Sequence, residues 1–248
     1  MIELKSKEEI NKIKKSCEIV RKVLNRLKEM TRPGLSTMDL DEEARKITKK
    51  FGAKPAFLNY RGYPGAVCIS VNEEVVHGIP SPKRILKDGD IVSIDFGVVY
   101  DGFFGDAAET VPVGHVSPVA EKLINVTRES LYKGIEKARP GNKLFDISSA
   151  VQEYAEKNGF SVVRDFVGHG VGKKLHEEPM VPNFGRPGTG IKLENGMVLA
   201  IEPMINEKGY EVNILDDDWT VITRDGGLSA HFEHTIVITE NAPEILTK

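Results

Sequence analysis

Cysteine is scarce in this chain, with only Cys17 and Cys68 among 248 residues. Two cysteines cannot build a disulfide framework, no Cys-x-x-Cys spacing exists, and the absence of cysteine ligands argues against a structural zinc site. No apolar run approaches the roughly 20 residues a membrane helix needs. Met1 to Ser16 is polar and charged, without the apolar centre of a secretory signal, so a cytoplasmic location is expected. An excess of one charge is also missing. The net charge of −3, from 34 basic and 37 acidic residues, offers no basic field for nucleic acid or an anionic membrane.

The rest of the composition is that of an ordinary globular protein, 40% hydrophobic and 29% charged, long enough to bury a substantial core. Ser6-Lys7-Glu8-Glu9 is a capping box. The spacing of Ile10, Ile13, Cys17, Val20, Leu24 and Leu27 makes one apolar helix face, which ends at Pro33-Gly34. A second helix is expected after Ser36 or Thr37, with Leu40, Ala44, Ile47 and Phe51 inward and Gly52 as its stop. Two more are expected over 118–138 and about 145–158. Strand signals lie at 90–104, 197–205, 219–223 and 232–239. No linker divides the chain, and the pattern implies one α+β domain over 1–248, with helices on a largely antiparallel sheet.

The sequence also repeats itself. Arg32-Pro33-Gly34 recurs as Arg139-Pro140-Gly141, 107 residues later (139 − 32). Gly52 and Gly159 keep that offset, as do the segments 86–95 and 193–202. Two similar halves, spanning roughly 32–95 and 139–202, are implied, packed about a pseudo-two-fold axis. Asp95 and Glu202 become counterparts. Like carboxylates brought together repel unless a cation lies between them.

Asp101-Gly102 is favoured two-residue hairpin chemistry. A turn there sets Tyr100 opposite Phe103 and Gly97 opposite Asp106. Side chains alternate along a strand, so Asp95 shares a face with Asp106 as its diagonal neighbour, with Cβ atoms about 7–8 Å apart. Asp95 follows Ile91-Val92-Ser93-Ile94, Glu202 follows Met197 to Ile201, and Glu233 lies in His231 to Ile238. Carboxylates in such apolar runs are costly unless paired or metal-bound. Among the histidines, His169 sits in Gly168-His169-Gly170-Val171-Gly172, which lacks the spacing of a phosphate loop. His176-Glu177-Glu178-Pro179 lacks the second histidine of a zincin helix. A packed or surface role is the ordinary expectation for a single histidine such as His77 or His115; His231 and His234 flank Glu233 and stay undecided. A donor set of four carboxylates and one histidine suits Mn, Fe, Co or Zn. A two-ion site with ions about 3.5–4 Å apart needs bridging carboxylates.

Over nearly its whole length the chain resembles the type I methionine aminopeptidases of the short bacterial kind. The motifs are Ser70 to Pro80, Gly89 to Asp95, Gly105-Asp106, Gly168 to Gly172, His176 to Pro179, Ile201-Glu202-Pro203 and Ser229 to Thr235. They set the order Asp-x10-Asp-x62-His-x32-Glu-x30-Glu. The resemblance implies the pita-bread fold and two divalent ions (Co, Mn, Fe or Zn). Asp95 is then a ligand of one ion, Asp106 and Glu233 are bridges, and His169 and Glu202 complete the other. It implies attack of a metal-bridging water on the first peptide bond, with Glu202 handling the proton, His77 contacting the substrate amide and His176 steadying the oxyanion. Tyr60, Tyr63, Cys68 and Trp219 match the methionine pocket. Phe57, Leu175 and His231 depart from the residues common at their positions and put the pocket's shape in question. The implied substrates are peptides and nascent chains that start with methionine and carry a small second residue. The implied setting is a monomer that visits the ribosome transiently. Two rivals share this fold. Proline-specific aminopeptidases and prolidases use the same ligands but usually add an N-terminal domain, and binding modules on the same fold have lost ligands that are all present here.

Overall fold

The computed structural model describes residues 2–248. Helix α1 (Lys7–Met30) opens on Ser6, whose side chain accepts the Glu9 N–H while the Glu9 carboxylate accepts the Ser6 N–H. This reciprocal cap satisfies two of the donors a helix start leaves free. The apolar face of α1, including Ile13, Cys17, Val20 and Leu24, is buried and lies across a long hairpin, Ile91–Tyr100 with Phe103–Pro112. Helix α2 (Thr37–Lys50) starts the same way, with Ser36 and Asp39 as the reciprocal pair. It ends one residue before the apolar spacing implied. Phe51 is its cap, 38% exposed beneath the Lys22 ammonium rather than inward. The left-handed backbone at Gly52 turns the chain there, and Phe51 leaves the buried face. Helices α3 (Pro118–Lys137) and α4 (Leu144–Lys157) pack on each other in the second half.

The main sheet is antiparallel at every pairing. Its central order is Ile91–Tyr100, Phe103–Pro112, Glu233–Val237, Val198–Ile201, Gly168–Gly170, Glu177–Val181. Cys68–Val71 and Lys54–Pro55 lie on the far side of Ile91–Tyr100. The halves repeat in their hydrogen bonds as in their residues. The Gly34 N–H donates to the Leu86 carbonyl at 2.8 Å, and the Gly141 N–H to the Leu193 carbonyl at 3.0 Å. Ser36 bridges to Ile85, and Lys143, 107 residues later (143 − 36), bridges to Lys192. Helices α1 and α2 cover the first half of the sheet, and α3 and α4 the second. The arrangement is the pita-bread fold, two pseudo-symmetric halves with helices on a largely antiparallel sheet.

The apolar stretch 197–205 forms two strands instead of one. Val198–Ile201 belongs to the main sheet, and Met204–Asn206 pairs with Ser229–His231 and Ser161–Val162 in a small separate one. The break falls at Glu202-Pro203, because proline has no N–H to continue the ladder. The stretch 232–239 begins its strand at Glu233, and the Phe232 N–H turns to the Pro203 carbonyl at 3.3 Å. The two chain segments therefore change sheets side by side.

Candidate metal centre

Strand register alone gathers the acids. Within the hairpin Tyr100 faces Phe103, Gly97 faces Asp106 and Asp95 faces Ala108, the pairing expected from the Asp101-Gly102 turn. Ala108 is also opposite Glu233 on its other side. Opposed residues point to the same face, so Asp95, Ala108 and Glu233 form one row across three strands. Asp106 and Thr235, two residues along, share that face. A second row runs from Thr235 through Ala200 to His169, and Glu202 lies two residues past Ala200. All five ligand-type side chains thus occupy one face. The middle of that face is occupied by Gly97, Ala108 and Ala200, which leave space above the sheet. The Thr235 hydroxyl joins the two strands by donating to the Asp106 carbonyl at 2.7 Å and accepting the Asp106 N–H at 3.2 Å.

Ligand atoms of Asp106, His169 and Glu233 all lie within 4.8 Å of one another. Asp95 and Glu202 line the same cavity. The buried oxygens Asp95 Oδ1, Asp106 Oδ1 and Glu233 Oε1 have no hydrogen-bond donor. Among the described residues, the only cationic-type partners of the four carboxylates are imidazoles: His169 Nε2 stands 3.5 Å from Glu202 Oε1, and His231 Nε2 3.6 Å from Glu202 Oε2. Burial raises the Asp106 carboxyl to about 7. Burial first, and the neighbouring carboxylates second, push Asp95, Glu202 and Glu233 well above the usual carboxylate range. Four such groups without lysine or arginine fit divalent cations and little else, since orphaned buried oxygens need a partner and like charges need a counter-ion. His169 is prepared for the same task. Its Nδ1–H donates to the Gly170 carbonyl at 2.9 Å, which fixes the tautomer and leaves the Nε2 lone pair facing the carboxylates.

The cavity over this face encloses about 830 Å³, within the roughly 300–1,000 Å³ of small-ligand sites. His176 stands beside the acids, its ring centroid 4.3 Å from that of His169, and its Nδ1 is joined to the Tyr60 hydroxyl at 2.9 Å. Burial and the Arg61 charge lower its pKa. His77 also lines the cavity and has a left-handed backbone, φ 61°, an uncommon conformation for a side-chain-bearing residue. Burial, aided by His176, lowers His77 to about 4. The next residue has to be glycine, because a Cβ on Gly78 would lie 2.2 Å from the Ile69 carbonyl oxygen. The Trp219 ring lies 6.1 Å from His77 and edge-on to Tyr63 at 5.1 Å. Tyr63, Cys68, Phe57 and Leu175 pack with Tyr60 and Trp219 as one apolar cluster, so the expected pocket residues come together. The departures Phe57 and Leu175 belong to that cluster and line the cavity.

His115 stays outside, with its side chain 99% exposed. His234 turns away to the Thr247 hydroxyl at 2.9 Å. Sequence reasoning did not single out several supports. Asp41 is fully buried and accepts the Ala66 and Val67 N–H groups at the entry to the Cys68 strand. Asn183 donates to the Glu202 carbonyl at 2.9 Å, and Phe166 stacks edge-on against His77 at 5.5 Å. Each lies far in sequence from what it supports, and none has a spacing that marks it. Arg61 and Met180 also line the cavity.

The pattern of metallopeptidase family M24 matches residues 11–240. The chain is 58% identical over 247 residues to a methionine aminopeptidase of Clostridium perfringens, covering 100% of this chain and 99% of that protein. The crystal structure of a methionine aminopeptidase from Thermotoga maritima superposes with a TM-score of 0.99 at 50% identity over the full length of both chains. A prolidase from Pyrococcus horikoshii shares the fold with a TM-score of 0.80 at 28% identity, but only 63% of the prolidase is covered. The chain belongs to metallopeptidase family M24 and, within it, to the methionine aminopeptidases.

Proposed function

We propose that the protein removes the N-terminal methionine from peptides and nascent proteins, with all of 1–248 acting as one catalytic domain. The observation that supports this best is the convergence of Asp95, Asp106, His169, Glu202 and Glu233 on one sheet face beside an apolar pocket. In this reading Asp95 would hold one ion, Asp106 and Glu233 would serve both, and His169 and Glu202 would complete the second. Two divalent ions, Mn, Fe, Co or Zn by the donor chemistry, would supply Lewis acidity and an acidified water at neutral pH. Glu202 would accept the water's proton and return it to the leaving amine. His77 hydrogen-bonds the substrate amide, and His176, held by the Tyr60 hydroxyl, donates to the oxyanion as charge develops there. The ring nitrogens of both are uncharged at neutral pH, since burial lowers their pKa values, so each donates as a neutral imidazole.

Methionine is chosen by Tyr60, Tyr63, Cys68 and Trp219, which surround an unbranched thioether with aromatic and sulfur contacts. The acidic face would attract the substrate's free ammonium, which restricts cleavage to the first bond. A small second residue, nascent chains as substrates with a transient visit to the ribosome, a cytoplasmic location and a monomeric state complete the proposal. No helix among the described residues is long and apolar enough to cross a membrane.

The test is cleavage of Met-Ala-Ser, Met-Lys-Ser, Leu-Ala-Ser and Ala-Pro-Ser with added Mn or Co, read by mass spectrometry and repeated with a chelator. Loss of methionine from Met-Ala-Ser alone, blocked by the chelator, is expected. Cleavage of Ala-Pro-Ser instead would move the protein to the proline-specific branch, and no cleavage under any metal would leave a binding module.

A further inference from the structure

The two histidines beside Glu233 have different fates, and His231 is the one without an evident task. Its side chain is 2% exposed, and its Nε2 has no hydrogen-bond partner. That nitrogen stands 3.6 Å from Glu202 Oε2, while the other carboxylate oxygen, Oε1, faces His169 Nε2 at 3.5 Å. Glu202 therefore sits between two imidazoles, one on the cavity wall and one behind it. His231 does not line the cavity.

The position of His231 is fixed from below. The Thr110 hydroxyl donates to the His231 carbonyl and accepts the His231 N–H, both at 2.8 Å. The Ser93 hydroxyl is joined to the same Thr110 oxygen at 2.8 Å. On its other side His231 is paired with Met204, two residues beyond Glu202. The His231 backbone is thus anchored to the hairpin that carries Asp95 and Asp106 and to the chain that carries Glu202.

A bare ring nitrogen facing a carboxylate oxygen would be repelled, because both present lone pairs. An Nε2–H is attracted, and a small rotation of either side chain brings 3.6 Å to hydrogen-bond length. The same proton removes a buried unsatisfied group. We propose that His231 is a positioning residue for Glu202: its Nε2–H holds Oε2 and keeps Oε1 on the His169 side of the centre. His231 and His169 then carry opposite tautomers, Nε2–H in the first and Nδ1–H, given to Gly170, in the second. The orientation it gives Glu202 matters for both the ion and the proton that this carboxylate handles, so the proposal rests on the metal-centre reading above. It does not depend on methionine as the substrate.

The test combines ring-15N NMR of the histidines with two substitutions, His231→Leu and His231→Gln. The expected wild-type spectrum has His231 as the Nε2–H tautomer in the zinc-loaded protein. His231→Leu should weaken divalent-metal affinity, measured calorimetrically, and lower kcat, each by about 10–100-fold, the usual loss of an outer ligand partner. KM for a methionyl peptide should move by less than about two-fold, because the pocket is untouched. His231→Gln, whose amide also donates, should recover most of both losses. An Nδ1–H tautomer, or a folded His231→Leu with wild-type metal affinity and kcat, would overturn the proposal, and so would a His231→Gln as damaged as His231→Leu. If His231→Leu does not fold, the wild-type tautomer decides alone. If the wild type cleaves no methionyl peptide while the tautomer and metal affinities follow expectation, the substrate assignment falls and the positioning role stands.

Discussion

Gly97 and Asp106 face each other across the hairpin, and a Cβ placed on Gly97 would lie 3.2 Å from Asp106 Oδ1 and 2.9 Å from the Phe57 ring. The glycine is required by what packs over it, since its φ lies outside the left-handed region. Gly97→Ala should therefore fold but push both neighbours aside. The expected cost is about 1–3 kcal/mol, as for other overpacked sites, visible as a lower Tm. Displacing Asp106 should also weaken metal binding about ten-fold. A variant with unchanged Tm and unchanged calorimetric metal affinity would refute the close packing.

Asp106→Asn separates the ligand role from the fold. The substitution keeps the shape and removes the charge of the most central carboxylate, so turnover should fall by at least about 100-fold. The metal-free variant should melt higher than the metal-free wild type, because one of four mutually repelling acids is gone. Near-normal turnover would remove Asp106 from the centre.

Metal removal should make stability depend on pH in an unusual direction. In the metal-free protein the folded-state values of Asp95, Asp106, Glu202 and Glu233 are raised above those of the unfolded chain. The folded state then holds more protons, and stability falls as pH rises. The contribution of these groups is complete below about pH 4, their unfolded range, and is lost as pH rises through the folded values, about 7 for Asp106. Bound metal reverses this by occupying the deprotonated form. The gap in Tm between metal-loaded and chelated protein should widen from pH 5 to pH 8. Equal gaps at both would mean that the four acids are not buried together.

His176→Ala tests the oxyanion role. His176 touches the Tyr60 hydroxyl and the His169 ring face but is not among the clustered ligand atoms. A loss of about 10²–10³-fold in kcat is expected, the usual effect of removing one oxyanion donor, with metal affinity held within about two-fold. Steady-state kinetics beside a metal titration checks it; a loss of metal affinity equal to the loss of kcat would make His176 a ligand support instead.

Much of this protein was legible in local chemistry. Capping boxes at Ser6 and Ser36 start helices where they stand because the partners are three residues apart and need no distant contact. The Asp101-Gly102 turn sets the register of ten residue pairs, because each pairing follows from the one nearer the turn. Asp95 and Asp106 were placed on one face by that register and the two-residue alternation. The 107-residue repeat, visible in glycines and prolines, returned as repeated hydrogen bonds. Other features depended on which distant strands pair. Glu233 reaches the acids because its strand lies against Ala108, and His169 does so because its loop pairs with Ala200; no local spacing specifies either contact. Phe51 turned outward where a glycine ended the helix sooner than apolar periodicity implied. His231 and His234, equivalent in sequence around Glu233, were separated only when the chain left one sheet for another at Phe232, sending one ring to Glu202 and the other to Thr247. Turns and caps act across a few residues and can be read from the chain, whereas the direction of a side chain at a sheet junction is set by neighbours that folding brings from elsewhere.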